Sequence, residues 1–551
     1  MKKSSGLIRL TITALGLLGI SGIPISKTDY FEINKQLEIF TDLYREINLY
    51  YVDEQAPSEL MDKAIVSMLA SLDPYTNYIP ESYVEDYRAQ NTGQYAGVGA
   101  SIRKKGAYPV ISSLHQNMAA DKAGLMVGDE LLKVAELDLK GMSVDDVSRL
   151  LKGAPGTKVE IELQRGDKRL RKMVVREEVR VPGVPYSAEI APGIGYIYLS
   201  QFNERASIEV RQAYESLNPD GHLTGLILDL RGNPGGLLGE AVNVSNLFID
   251  KGQEVVRTKG KVKEADARYL TQFNPLNREI PLVVLINGNS ASASEIVAGV
   301  MQDLDRGVIL GQRSFGKGLV QQTKPVSYGA QLKLTIAKYY TPSGRCIQAI
   351  DYAERDASGA VKAIPDSLRN SFTTRNGRLV KDGAGIDPDE VVREEELPRV
   401  LFSLLQEDLV FDFANQLQRN APEDSINPAV YTFPENAFKA FQQFVQAKGF
   451  TYETYTDELL KQIENSAKEE RFADLLPELE KLKKAFTQIK EDDIQEHQDL
   501  VKQWLGSEMA MRYAYERGRV IYDLRYDPVS QRAIEILNNQ DVYQAILDGQ
   551  P

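Results

Sequence analysis

Three serines alternate in the stretch Asn287-Gly288-Asn289-Ser290-Ala291-Ser292-Ala293-Ser294-Glu295. An apolar run from Pro281 to Ile286 precedes it and reads as a buried strand. Ile296, Val297, Val300, Met301 and Leu304 follow at helical spacing. The pattern predicts a strand that turns through Gly and Ser into a helix. A hydroxyl in that turn stands beside unpaired backbone N–H groups, at the positive end of the helix dipole. A serine nucleophile needs this setting, because its tetrahedral intermediate carries an oxyanion that fixed donors stabilise. A Ser-rich turn before a helix is also an ordinary N-cap. Local chemistry does not select which of the three serines would react.

A base is the next requirement. Gly311-Gln312-Arg313-Ser314-Phe315-Gly316-Lys317-Gly318-Leu319-Val320-Gln321 follows a second short apolar run, Gly307 to Leu310. Lys317 lies between two glycines. A lysine serves as general base once desolvation lowers its pKa towards working pH, although most loop lysines are simply solvated. Histidine is scarce, with three in the chain: His115, His222 and His497. His222 sits in a polar Pro-Asp-Gly-His turn, and the other two lie far from these motifs in sequence. A Ser-His-Asp triad is poorly supplied.

Ser-Ala-Ser-Ala-Ser-Glu followed by Phe-Gly-Lys-Gly-x-Val-Gln resembles the C-terminal processing, or tail-specific, serine peptidases. The resemblance runs from about residue 35 to about residue 395 and rests on paired motifs, which are far more specific than a lone Gly-x-Ser-x-Gly. It implies that the middle serine, Ser292, is the nucleophile, because its spacing to Lys317 is the family's spacing from nucleophile to base. It implies that Lys317 is the base and that Gln321 helps to orient it. The fold it implies for this part is α/β, a crotonase-like (ClpP/crotonase-type) β-superhelix.

The elements around these motifs extend the reading. Leu223 to Leu230 is a buried strand entering the glycine-rich loop Arg231-Gly232-Asn233-Pro234-Gly235-Gly236. Such a loop can cradle a phosphate, but no Gly-Lys-Ser/Thr and no dinucleotide fingerprint is present. Under the resemblance it supplies one oxyanion-hole N–H, that of Gly236, and the second comes from Ala293. Asp229 and Arg231 read as structural charges flanking the loop. Gln331 to Arg345, with its Thr-Pro-Ser-Gly-Arg turn, and Gly385-Ile386-Asp387-Pro388-Asp389 match family turns around the site. Residues 352–384 read as a polar, exposed insertion.

Upstream, residues 92–178 resemble a PDZ domain. Ala123-Gly124-Leu125-Met126-Val127-Gly128-Asp129-Glu130-Leu131 is the most specific part. Ser143 caps a short amphipathic helix to Leu151 with acidic residues in its first turn, and Val159 to Leu163 alternates as a strand. A PDZ domain takes an extended peptide as an added strand and holds its terminal carboxylate on backbone N–H groups. Gly97, Val98 and Gly99 match the carboxylate-binding loop; the glycines alone would also suit a tight strand entry.

The 551 residues suit about three or four domains of roughly 150 residues. The expected architecture is an α/β and α+β multidomain chain: a signal peptide or anchor over 1–26, a helical N-terminal segment over 27–91 with its helix ended by Leu72-Asp73-Pro74, the PDZ domain over 92–178, the Ser-Lys peptidase core over 179–395, and a helical extension over 396–551. The extension reads as an assembly surface, an adaptor site, a lid or a solvated appendage. A net charge of −13 argues against nucleic acid as a partner. One cysteine, Cys346, excludes an intrachain disulfide and a cysteine-based zinc site and reads as structural. The chemistry needs no cofactor and no metal.

The basic start Met1-Lys2-Lys3 before a short apolar run is a secretory pattern, so the expected location is exported, periplasmic or extracytoplasmic, with membrane contact only through a retained anchor. The function expected is a serine endopeptidase acting on proteins with free, apolar C-termini. The competing class is a non-catalytic PDZ scaffold on a peptidase fold. A homo-oligomer or adaptor contact would run through the C-terminal helices.

Overall fold

The computed structural model describes residues 27–355, 360–393, 396–421 and 425–550. The reading of residues 1–26 as a signal or anchor lies outside the described residues. Among those described, no helix is long and apolar enough to cross a membrane. The chain divides into two compact units. One comprises the described part of Met1–Glu81 with Thr258–Ala267 and Val320–Ala337; the other holds the rest.

In the first unit, helix Lys27–Tyr50 leads to helix Pro57–Ala70. Apolar residues at helical spacing suggest a buried stripe, yet Phe31, Leu37 and Leu43 stay largely exposed. The Leu-Asp-Pro turn does more than end a helix. Asp73 Oδ1 accepts the Tyr75 and Thr76 N–H groups at 2.8 Å each, an Asx-type turn. That turn launches the short strand Asn77–Ile79, which pairs antiparallel with Gln331–Lys333.

The second unit is built on a six-stranded sheet whose spatial order follows the chain: Tyr186–Ala191, Ile194–Tyr198, Gly225–Asp229, Leu282–Ile286, Val308–Gly311 and Glu390–Val391. The first pair is antiparallel and the remainder parallel. Every residue of Gly225–Asp229 and of Leu282–Ile286 is buried, which requires cover on both faces of the sheet. Helices Ala206–Leu217, Leu238–Asn246 and Ala293–Asp303 connect the strands. The other cover corrects an expectation. The C-terminal region is helical, but its last two helices are no appendage. Val529, Ala533, Ile536, Leu537, Tyr543 and Leu547 pack into one cluster with Tyr196, Ile227, Val283 and Leu310 of the sheet. Residues 352–384 are likewise not simply exposed, because Thr374, Arg378 and Val380 are buried.

The PDZ-like part of this unit has a six-stranded sheet and the helix Val144–Leu151. Ser143 Oγ accepts the Asp146 N–H at 3.1 Å. Losing that cap through Ser143→Ala is expected to lower the opening free energy of the helix by about 1 kcal/mol, read as faster native-state exchange of its amides. Unchanged exchange would rule the cap out as a contributor.

This part rests on the C-terminal helices. Val110 and Val127 bury Phe411, Arg103 stacks on the same ring at 4.2 Å and pairs with Asp408 at 2.7 Å, and Lys105 pairs with Asp412. The helices have their own core around Phe413, Phe438 and Phe441.

Candidate active site

The structure separates the three serines. Ser290 is fully buried; its Oγ donates to Leu230 O at 2.8 Å and accepts the Asn287 N–H at 2.9 Å. Ser294 is also fully buried and donates to Asn233 O at 2.9 Å. Both hydroxyls are structural, tying the turn to the neighbouring loop. Ser292 alone of the three is partly exposed. It stands at the N-terminus of helix Ala293–Asp303 with φ 56° and ψ −110°. A non-glycine residue in that region carries about 1–3 kcal/mol of backbone strain, which persists only when its surroundings hold it.

Glu295 does much of the holding. Its carboxylate is fully buried. Oε2 accepts the Ser292 N–H at 2.7 Å and the Lys317 N–H at 2.9 Å. Oε1 accepts the Gly316 N–H at 2.7 Å and the Ser314 hydroxyl at 2.6 Å. One side chain therefore joins the serine turn to the lysine loop. Burial pushes its carboxyl pKa above the ordinary value, against the downward pull of these four donors. Sequence reading assigned Glu295 no role, although Ser-x-x-Glu at a helix start is a capping-box signal.

The glycine-rich loop closes against the same turn. Ala291 N–H donates to Asn233 O at 3.0 Å, and the buried Asn233 side chain holds Leu199 O and the Gly235 N–H. Gly235 has φ 101°, and a Cβ there would lie 2.9 Å from both Ser292 Cβ and Ala293 N. Gly236 has φ 145°, and a Cβ there would meet Phe202 O at 2.2 Å. Only glycine fits either position. Among the described residues, neither the Gly236 N–H nor the Ala293 N–H has an acceptor. Arg231, at the start of the loop, pairs with Asp229 at 2.6 Å and Asp527 at 2.5 Å.

Gln321 belongs to the other unit. There its side-chain amide donates to Thr335 Oγ1 at 3.2 Å, and that hydroxyl donates to Asp73 Oδ1 at 3.2 Å. The histidines are engaged elsewhere. His222 pairs with Glu189 at 3.2 Å, the His115 main chain bonds Gly99 O, and His497 marks a helix junction. Burial pushes the Cys346 thiol pKa up, which suits an inert thiol. Among the described residues, no group of three or more His, Cys, Asp or Glu could hold a metal ion.

In the PDZ-like part, a cavity of about 580 Å³ has a neighbour of about 530 Å³ that lies between strand residues Ala100–Ile102 and helix residues Val144, Ser148 and Leu151. Val98 also lines it, and the Val98 and Gly99 N–H groups have no acceptor among the described residues. Tyr83 and Asp86, from the segment before the domain, form a further wall; Tyr83 lies under Arg149 at 4.4 Å and Asp86 pairs with Lys152 at 2.8 Å.

Comparison with known proteins defines the class. Residues 193–355 match the model of peptidase family S41, residues 110–165 a PDZ domain, and residues 400–537 the C-terminal helical domain of probable PDZ-proteases. The class is a serine-type peptidase carrying a PDZ domain. A carboxy-terminal-processing protease of Bartonella bacilliformis is 37% identical over 321 residues, covering 57% of this chain and 73% of that one. A probable CtpA-like serine protease of Staphylococcus aureus is 34% identical over 327 residues, covering 59% and 64%. The photosystem II D1 C-terminal processing protease is a solved structure with 29% identity and a TM-score of 0.37, covering 66% of this chain and 94% of that one. The chain belongs to the C-terminal processing serine peptidases of family S41.

Proposed function

We propose that this peptidase is exported, takes the free C-terminal tail of a protein substrate onto its PDZ domain and cleaves the chain upstream with a Ser-Lys pair. The observation that carries the reading is Ser292, the one partly exposed serine of its turn, joined through Glu295 to the loop bearing Lys317. Lys317, neutral in the resting site, takes the Ser292 proton as the oxygen attacks the scissile carbonyl. The Gly236 and Ala293 N–H groups receive the oxyanion. The proton passes to the leaving amine, and water activated by the same lysine hydrolyses the acyl-enzyme. The family resemblance assigns Gln321 to orienting the lysine. Gly235 fitted against the Ser292 turn and Gly236 fitted against the Phe202 main chain support the oxyanion assignment. The peptidase core is taken as a crotonase-like superhelix, a reading supported by strands that follow one another in space as in sequence.

The substrate tail adds as a strand beside Ala100–Lys105, its carboxylate on the Gly97-Val98-Gly99 loop and its last side chain against Val98, Val144 and Leu151. Cleavage of an unstructured reporter with an apolar C-terminus tests this. Amidating the terminus is expected to raise KM about ten-fold by removing the charge the loop receives. An amidated reporter cleaved as well as the free one would overturn tail recognition, and a reporter resistant in both forms would overturn the endopeptidase reading.

A further inference from the structure

We infer that Tyr339 is a positioning residue for the oxyanion hole: its hydroxyl fixes the peptide plane that presents the Ala293 N–H. The inference rests on Ser292 being the nucleophile. Tyr339 lies on strand Gln331–Tyr340 and is 1% exposed. Its hydroxyl donates to Ser292 O at 3.1 Å. Ser292 C=O and Ala293 N–H are opposite ends of one planar peptide unit, so a donor held on the oxygen sets the direction of the nitrogen. The same oxygen accepts the Ile296 N–H at 3.0 Å, and two fixed donors resist rotation better than one. The Tyr339 main chain acts on the other side of the site, donating its N–H to Gly318 O at 2.9 Å, next to Lys317.

The position calls for a hydroxyl that stays protonated. Burial pushes the Tyr339 phenol well above its ordinary value, with the charge of Glu295 adding to the effect. It remains a donor across the working range and is no candidate for a base. Glu295 holds the peptide before Ser292 and Tyr339 holds the peptide after it. Both flanks of the residue at φ 56° are thus fixed by buried side chains.

Tyr339→Phe removes the hydroxyl and keeps the ring. On the tailed reporter, kcat is expected to fall roughly ten-fold, with KM, the thermal midpoint and the shape of the pH profile unchanged. Affinity for a peptide aldehyde, whose tetrahedral adduct with Ser292 occupies the oxyanion hole, is expected to fall by a similar factor. A 3-fluorotyrosine at position 339, which keeps the donor, is expected to restore both. A kcat within two-fold of wild type, an unchanged aldehyde affinity, or a thermal midpoint that falls together with kcat would overturn the inference. Ser292→Ala runs beside these variants: if it cleaves, the nucleophile assignment fails; if it is inert while Tyr339→Phe is fully active, the positioning role alone fails.

Discussion

Ser292→Ala is expected to cut cleavage of the tailed reporter by more than about 10⁴-fold, the scale on which serine peptidases lose rate without their nucleophile. The fold should be indifferent. Ser290 and Ser294, not Ser292, carry the hydroxyl bonds that tie the turn to Leu230 and Asn233. Glu295 holds the Ser292 main chain, which alanine retains. Lys317→Ala should lose a comparable factor. The double variant should be no worse than either single one, because nucleophile and base act as a unit and their losses do not add. Tail binding is a separate function, so the Ser292→Ala protein should capture the uncleaved reporter from solution. Rates with the two single variants and the double variant, beside a pull-down with Ser292→Ala, are the measurements. Residual cleavage within ten-fold of wild type in Ser292→Ala would remove Ser292 from the mechanism. Strict additivity of the two losses would separate Lys317 from it.

Sequence reached the turn but not its selectivity. An apolar run, three alternating serines and a helical repeat were enough to place a hydroxyl at a helix start. What distinguishes Ser292 from its neighbours is tertiary. Ser290 and Ser294 are consumed by carbonyls about sixty residues upstream, and spacing carries no record of that. Family resemblance supplied the choice instead. Asp73 read as the end of a helix, because its bond from Thr335 depends on a strand pairing distant in sequence. The final helices read as an assembly surface, an adaptor site, a lid or an appendage, because their apolar stripes do not say which sheet they cover. Tyr339 left no local signal at all: a tyrosine in an alternating strand is ordinary, and only the folded chain brings its hydroxyl to Ser292 O. Glu295 was legible in principle, as the fourth residue of Ser-x-x-Glu, but the pattern announces a helix cap rather than a junction between two loops.

That junction gives the second large expectation. Glu295→Gln is isosteric, yet it turns one acceptor oxygen into an NH₂ group. If the amide nitrogen replaces Oε2, the Ser292 and Lys317 N–H groups face a donor; if it replaces Oε1, the Gly316 N–H does. Each buried donor left unpaired costs about 1–3 kcal/mol, and the loss falls where the strained serine and the lysine loop meet. A roughly 10²-fold fall in kcat with little change in KM is expected. The same chemistry gives wild type a pH signature. Burial raises the Glu295 pKa, so the native protein takes up this proton at higher pH than the unfolded chain does. Its contribution to stability is therefore full below the unfolded pKa and is lost as pH rises through the raised one. Activity runs the other way, since a protonated Glu295 also sets a donor against a donor. On acidification, below the limb set by protonation of the Lys317 base, kcat should fall further at a pH above the ordinary glutamate range, with no loss of fold from this group in the same window. Parallel profiles of kcat and thermal midpoint against pH test this. An acid limb that coincides with unfolding, or a Glu295→Gln enzyme of wild-type rate, would show that the carboxylate holds neither loop in place.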